Sequence, residues 1–101
     1  MSQVIQTKKT LKKELVVQNR SGIHARVSTM IAQRCKEFMS EVFLRKGNAV
    51  ADCRSVLDLL SLGASNGTTV VLEIIGEDAE DVMKMMIAMF ENRFNEDEDS
   101  L

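Results

Sequence analysis

The chain carries a single histidine, His24, and its neighbours suggest a chemistry for it. It stands in Ser21-Gly-Ile-His-Ala-Arg26, where a strand-like pattern ends in a glycine turn and a helical pattern begins. A helix start offers unpaired backbone N–H groups and the positive end of the helix dipole, which together suit an anion such as phosphate. Arg26 adds a planar charged fork that matches phosphate oxygens. A neutral imidazole is a competent nucleophile near neutral pH. A lone histidine is usually an ordinary surface or core residue, but this position favours transient phosphorylation of the imidazole. One histidine without companions supplies too few ligands for a metal, and no cofactor is expected.

Ser55 is the second candidate. Ser55-Val-Leu-Asp58 reads as a helix start with Ser55 as the cap and Asp58 at the third helical position. Capping alone, worth roughly 1 kcal/mol, explains a serine here and is the simpler reading. A phosphate on Ser55 would also meet the dipole end, and would add negative charge beside the apolar Val56, Leu57 and Leu60. Such a charge would alter docking of an acidic partner. Both roles stay open.

These residues need elements to position them. Residues 14–19 predict a strand, with Leu15 and Val17 on one face. From His24 the apolar spacing turns helical, with Val27, Met30, Ile31, Cys35 and Phe38 on one stripe and Arg26, Gln33, Lys36 and Glu37 off it. Residues 41–46 and 49–53 flank Gly47-Asn48 and read as a hairpin. The helix begun at Ser55 ends at Gly63. Residues 68–75 form the clearest strand, with Val70, Leu72 and Ile74 aligned. Asp78 then caps a long helix bearing Val82, Met85, Met86, Met89 and Phe90 on one side; its methionines read as adaptable core filling. The order β-α-β-β-α-β-α predicts an α+β open-faced β-sandwich, a four-stranded antiparallel sheet with three helices on one face.

With 101 residues the chain is expected to form one domain. Its 45% hydrophobic and 28% charged residues are ordinary for a globule. Four Phe with no Trp or Tyr argue against stacking platforms for single-stranded nucleic acid. A net charge of −2 weighs against nucleic-acid binding in general. No apolar run approaches the roughly 20 residues of a membrane span, and residues 1–20 lack a signal-peptide core. Cys35 and Cys53 show no zinc spacing and read as buried, reduced thiols. A cytoplasmic protein is expected. The ends differ in charge: residues 1–13 hold four lysines and no acid, whereas 91–101 hold five acids against Arg93. We expect 1–13 to be a flexible basic extension, 14–94 the domain and 95–101 an acidic tail, the ends simply solvated.

The stretch Gly22-Ile-His-Ala-Arg26, followed by Arg54-Ser-Val-Leu-Asp-Leu-Leu-Ser-Leu-Gly63 and then Asn66-Gly-Thr, resembles HPr, the small histidine phosphocarrier of the phosphoenolpyruvate-dependent sugar phosphotransferase system. The resemblance runs from about Leu15 to about Phe90, and the element order read above is also the family's. It implies that His24 is phosphorylated at Nδ1 by enzyme I and passes the group to a sugar-transporter IIA domain or a regulatory acceptor. It implies that Arg26 contacts the phosphohistidine. Ser55 matches the serine that an HPr kinase/phosphorylase modifies in some bacteria. Val56, Leu57 and Leu60 match the apolar docking surface, bordered by Ile23 and Lys36, with Arg54 keeping a charge where lysine is common. Gly22 matches the glycine before the active turn. The chain departs from the family pattern at Val27, where proline is usual. The resemblance implies a carrier rather than a turnover catalyst, and a monomer is expected. A protein of the same fold acting mainly through Ser55 and a regulatory partner is the alternative, and a bare interaction module with an incidental His24 is a third.

Overall fold

Residues 9–96 are described by the computed structural model. Four strands, β1 (Thr10–Val16), β2 (Glu41–Lys46), β3 (Ala49–Asp52) and β4 (Thr69–Ile75), alternate with three helices, α1 (Ala25–Cys35), α2 (Val56–Leu62) and α3 (Ala79–Glu91). The order is β-α-β-β-α-β-α. The strands form one antiparallel sheet in the order β1-β4-β2-β3.

The two-residue strand period decides which side chains meet the helices. Val42, Leu44, Ala51, Val70, Leu72 and Ile74 line the inner face and are all buried. They pack in one cluster with Val27 and Ile31 of α1, Leu59 of α2 and Val82, Met86 and Phe90 of α3. Each large side chain so buried contributes about 1.5–3 kcal/mol. The outer face carries charges instead. Arg45 of β2 meets Glu73 of β4 at 3.0 Å, and Lys12 of β1 approaches the same carboxylate at 3.8 Å. The open-faced sandwich is therefore the observed architecture, with the helices covering one face of the sheet.

Three local features differ from the sequence reading. β1 begins at Thr10, not residue 14, so residues 10–13 are paired strand and not extension. Lys12 pairs with Glu73 and Lys13 with Leu72 across the ladder. Residues 1–8 of the expected extension and 97–101 of the expected tail lie outside the described residues. Second, α1 stops at Cys35, and Phe38 packs on the core from the following loop. Third, Asp78 stands at the start of α3 but makes no cap bond there. Its carboxylate accepts instead from the backbone N–H of Met39, at 2.7 Å, and of Ser40, and from the Ser40 hydroxyl. The Ser40 hydroxyl, then the Met39 N–H, hold the Asp78 carboxyl below its ordinary range. Asp78 thus ties the loop before β2 to the start of α3.

Cys35 and Cys53 are fully buried and free. Their hydrogen bond, followed by burial, pushes the Cys53 thiol well above its ordinary value.

Candidate functional site

The turn between β1 and α1 is built from backbone and one buried amide. Gly22 takes φ +70°, a left-handed conformation that glycine adopts without a Cβ penalty. The Asn19 side chain, fully buried, donates to the Gly22 carbonyl at 2.6 Å. Ile23 N–H donates to the Ala64 carbonyl at 2.9 Å, which joins this turn to the segment after α2. The chain then enters α1 with His24 as the N-cap.

His24 caps the helix with its ring. Nδ1 accepts the Arg26 N–H at 3.1 Å, and the His24 carbonyl accepts the Ser28 N–H at 2.8 Å. A ring nitrogen that accepts an N–H bears a lone pair, so in the neutral imidazole the proton sits on Nε2. Nε2 lies 3.3 Å from Oε2 of Glu96, the acceptor this tautomer needs. The side chain, bonded at both nitrogens, remains 34% exposed and so accessible to a partner.

Arg26 points toward the C-terminal end of the chain. Its Nη1 donates to the Phe94 carbonyl at 3.0 Å and lies 3.2 Å from the Met30 sulfur. Val27, fully buried, occupies the third helical position and packs into the core. A valine there keeps the backbone N–H that proline would remove, so the helix start has one more donor than the family pattern provides.

The other half of the site comes from beyond α3, far along the chain from His24. After α3 the chain makes a tight turn, Arg93–Asn95, in which three consecutive non-glycine residues have φ of 54°, 53° and 60°. Each left-handed residue costs roughly 1–2 kcal/mol, less for asparagine. Burial of Phe94 offsets that cost: it is 1% exposed and packs edge-on to Phe90, ring centroids 5.0 Å apart. The turn delivers Glu96 to His24. The Glu96 carboxylate accepts from Ser21 N–H at 2.8 Å, Asn19 Nδ2 at 3.3 Å and the His24 edge. Burial alone raises the pKa of such a carboxyl, but the donors at Ser21, Asn19 and His24 outweigh it and hold Glu96 at about 2. Glu96 lies beyond the family resemblance, which runs to about Phe90, and within the acidic tail expected at 95–101, where it would be solvated; the structure instead buries it.

An acid dependence follows. The folded-state pKa of Glu96 is depressed from its ordinary 4.5, so its contribution to stability is complete above that value. It is lost as pH falls from about 4.5 toward about 2. Thermal melts of wild type and Glu96→Gln should differ at neutral pH and converge across this window. A gap that stays constant down to the acid end would show that the carboxylate charge is not what the turn depends on.

The remaining predicted residues fall on and around α2. Ser55 is its N-cap, with Oγ accepting from Asp58 N–H at 3.1 Å. Asp58 does not complete the reciprocal box; it accepts from Asp52 N–H. Gly63 ends the helix in the left-handed region. Leu57 is 75% exposed and Leu60 39%, while Val56 is half-buried. Lys36 is exposed. Two expected surface residues are placed otherwise. Ile23 is buried, because it seals the turn beneath His24. Arg54 is half-buried and turns its guanidinium onto the carbonyls of Phe38, at 2.7 Å, and Ser40, at 3.3 Å. Met39, which no sequence motif marks, is 86% exposed. Among the described residues there is no cluster suited to a metal ion, and no helix is long and apolar enough to cross a membrane.

With this geometry in view, comparison with known proteins is specific. A family model described as "PTS HPr component phosphorylation site" matches residues 11–92. A phosphocarrier protein HPr of Xylella fastidiosa (strain 9a5c) is 37% identical over 87 residues, 86% of this chain and 98% of that protein. An HPr-like protein Crh of Halalkalibacterium halodurans is 30% identical over 81 residues, covering 80% and 96% respectively. Among solved structures, HPr of Thermoanaerobacter tengcongensis superposes with a TM-score of 0.81 at 28% identity, over 84% of this chain and 96% of that one.

Proposed function

This chain belongs to the HPr family of phosphocarrier proteins, and on that premise we propose that His24 accepts a phosphoryl group from phosphorylated enzyme I and passes it on to sugar-transporter IIA domains or regulatory acceptors. The observation that supports this reading most directly is the orientation of one ring. Nδ1 of His24 presents its lone pair at the N-terminus of α1, beside the Arg26 N–H. When Nδ1 attacks phosphorus, the partner's P–N bond breaks and a new N–P bond forms. The Arg26 N–H then turns from the ring nitrogen to a phosphoryl oxygen, and the helix end favours the added charge. The Arg26 guanidinium would leave the Phe94 carbonyl to meet the same oxygens.

The protein acts in this scheme as a consumed and regenerated intermediate. Its partners supply the acids, bases and metal that phosphoryl transfer requires. Leu57 and Leu60 offer them an exposed apolar face on α2, and Lys36 a charge. Each partner meets a monomer of this chain in the cytoplasm.

The second reading assigns the protein mainly to regulation through Ser55 and an HPr kinase/phosphorylase. The Ser55 hydroxyl at the cap of α2 favours it, since a phosphate there meets backbone donors without unfolding the helix. One experiment separates the two. The purified protein is incubated with phosphoenolpyruvate and enzyme I, and its intact mass is followed before and after brief acid treatment. A gain of one phosphoryl group that acid removes is expected, because phosphohistidine is acid-labile. No gain with enzyme I, together with an acid-stable gain from ATP and the kinase, would replace the first reading by the second.

A further inference from the structure

The C-terminal turn is an expensive piece of backbone, and what it delivers is one carboxylate against one edge of the His24 ring. We propose that Glu96 is a positioning residue that directs phosphorylation to a single nitrogen: it holds the Nε2–H edge and leaves only Nδ1 as a nucleophile. The inference deepens the phosphocarrier reading of His24 and rests on it.

Three observations converge. Glu96 is also anchored apart from His24, by Ser21 N–H at 2.8 Å and Asn19 Nδ2 at 3.3 Å, so its place does not rest on the ring alone. Its Oε2 lies 3.3 Å from Nε2. The opposite ring nitrogen is the one that faces the helix N–H. The imidazole is thus clasped between an acceptor at Nε2 and a donor at Nδ1, an arrangement that only the Nε2–H tautomer satisfies.

The consequence for the reaction is specific. As Nδ1 forms its bond to phosphorus the ring becomes cationic and keeps the Nε2 proton. The carboxylate faces that proton and stabilises the charge, as in other carboxylate–imidazole pairs. A negative group beside Nε2 also repels an incoming phosphoryl dianion, so attack from that nitrogen is suppressed. On transfer to an acceptor the N–P bond breaks and the ring leaves as neutral imidazole with its Nε2 proton in place.

The test uses two phosphoryl donors. Phosphoramidate phosphorylates imidazoles without any protein partner, ammonia leaving with the P–N electron pair. With wild type, two-dimensional proton–nitrogen spectra should show an Nδ1 adduct alone. With Glu96→Ala, an Nε2 adduct should appear beside it, and exclusive Nδ1 labelling of that folded variant would overturn the proposal. Glu96→Gln keeps the bulk and one acceptor oxygen and should retain the Nδ1 preference. It should nevertheless lose about tenfold or more in kcat for loading from phosphorylated enzyme I, with KM unchanged, as expected when a charged hydrogen bond to a charged transition state is removed. An unchanged kcat in Glu96→Gln, or a change confined to KM, would also overturn the assignment. If wild type takes phosphate from phosphoramidate but never from enzyme I, the phosphocarrier reading fails while the regiochemistry still decides the role of Glu96.

Discussion

His24→Asn will abolish loading from phosphoenolpyruvate and enzyme I while leaving the fold nearly as stable as wild type. Asparagine is among the best N-caps, and its side-chain oxygen can accept the Arg26 N–H that Nδ1 accepts now. The helix start therefore survives. The nucleophile does not, because an amide carries no basic nitrogen lone pair. His24→Ala would confuse the two effects, since it also removes the cap at a cost of about 1 kcal/mol. The comparison is intact mass for loading and thermal melting for stability, on wild type and both variants. Loading of His24→Asn at the wild-type level would place the phosphoryl group elsewhere and remove the basis of the phosphocarrier reading.

The residues of this site differ in how far they are legible without coordinates, and the reason is separation along the chain. His24 and Arg26 sit two residues apart at a glycine-marked helix start, so their proximity follows from local backbone geometry. The same holds for Ser55 and Asp58, although the Asp58 carboxylate goes to Asp52 and not back to the cap. β2, α2 and β4 were legible because alternation and glycine punctuation agree. β1 starts four residues before the expected residue 14 because it is an edge strand: Thr10, Lys12, Lys13 and Glu14 remain exposed, so no burial pattern marks them. Its start is defined by backbone pairing to β4, which side chains do not report. Glu96 stands 72 residues from His24 and reaches it through a turn of left-handed, non-glycine residues. Burial of Phe94 against Phe90 helps to offset the cost of such a turn. The faint signals were Phe94 spaced four from Phe90 and the flanking Asn92 and Asn95, a type that tolerates positive φ. The density of acids from Glu96 onward outweighs these signals and points to solvent.

Gly22→Ala should be the most damaging single-methyl change near the site, because its Cβ has nowhere to go. Built on the observed backbone, that carbon would lie 2.6 Å from the Ala64 carbonyl oxygen and 2.9 Å from the Ser65 Cα. Both are main-chain atoms, so no side chain can swing aside. The residue would also hold φ +70°, costing about 1–2 kcal/mol. Relief of the overlap adds about 1–3 kcal/mol, for a total of about 2–5 kcal/mol out of the roughly 5–15 kcal/mol that a domain possesses. The atom struck matters as much as the energy. The Ala64 carbonyl accepts the Ile23 N–H, and the Gly22 carbonyl accepts from Asn19 and from the His24 N–H. Any shift that makes room therefore moves His24 relative to Glu96, so the fraction that stays folded should load slowly as well. Gly47→Ala is the control. Gly47 has φ +58° but nothing within 4 Å of its added Cβ, so that variant bears the backbone cost alone. Denaturant titrations of the two variants isolate the steric part as their difference. Equal destabilisation would show that the turn beneath His24 yields freely, and the rigid placement argued for the ring would then have to be abandoned.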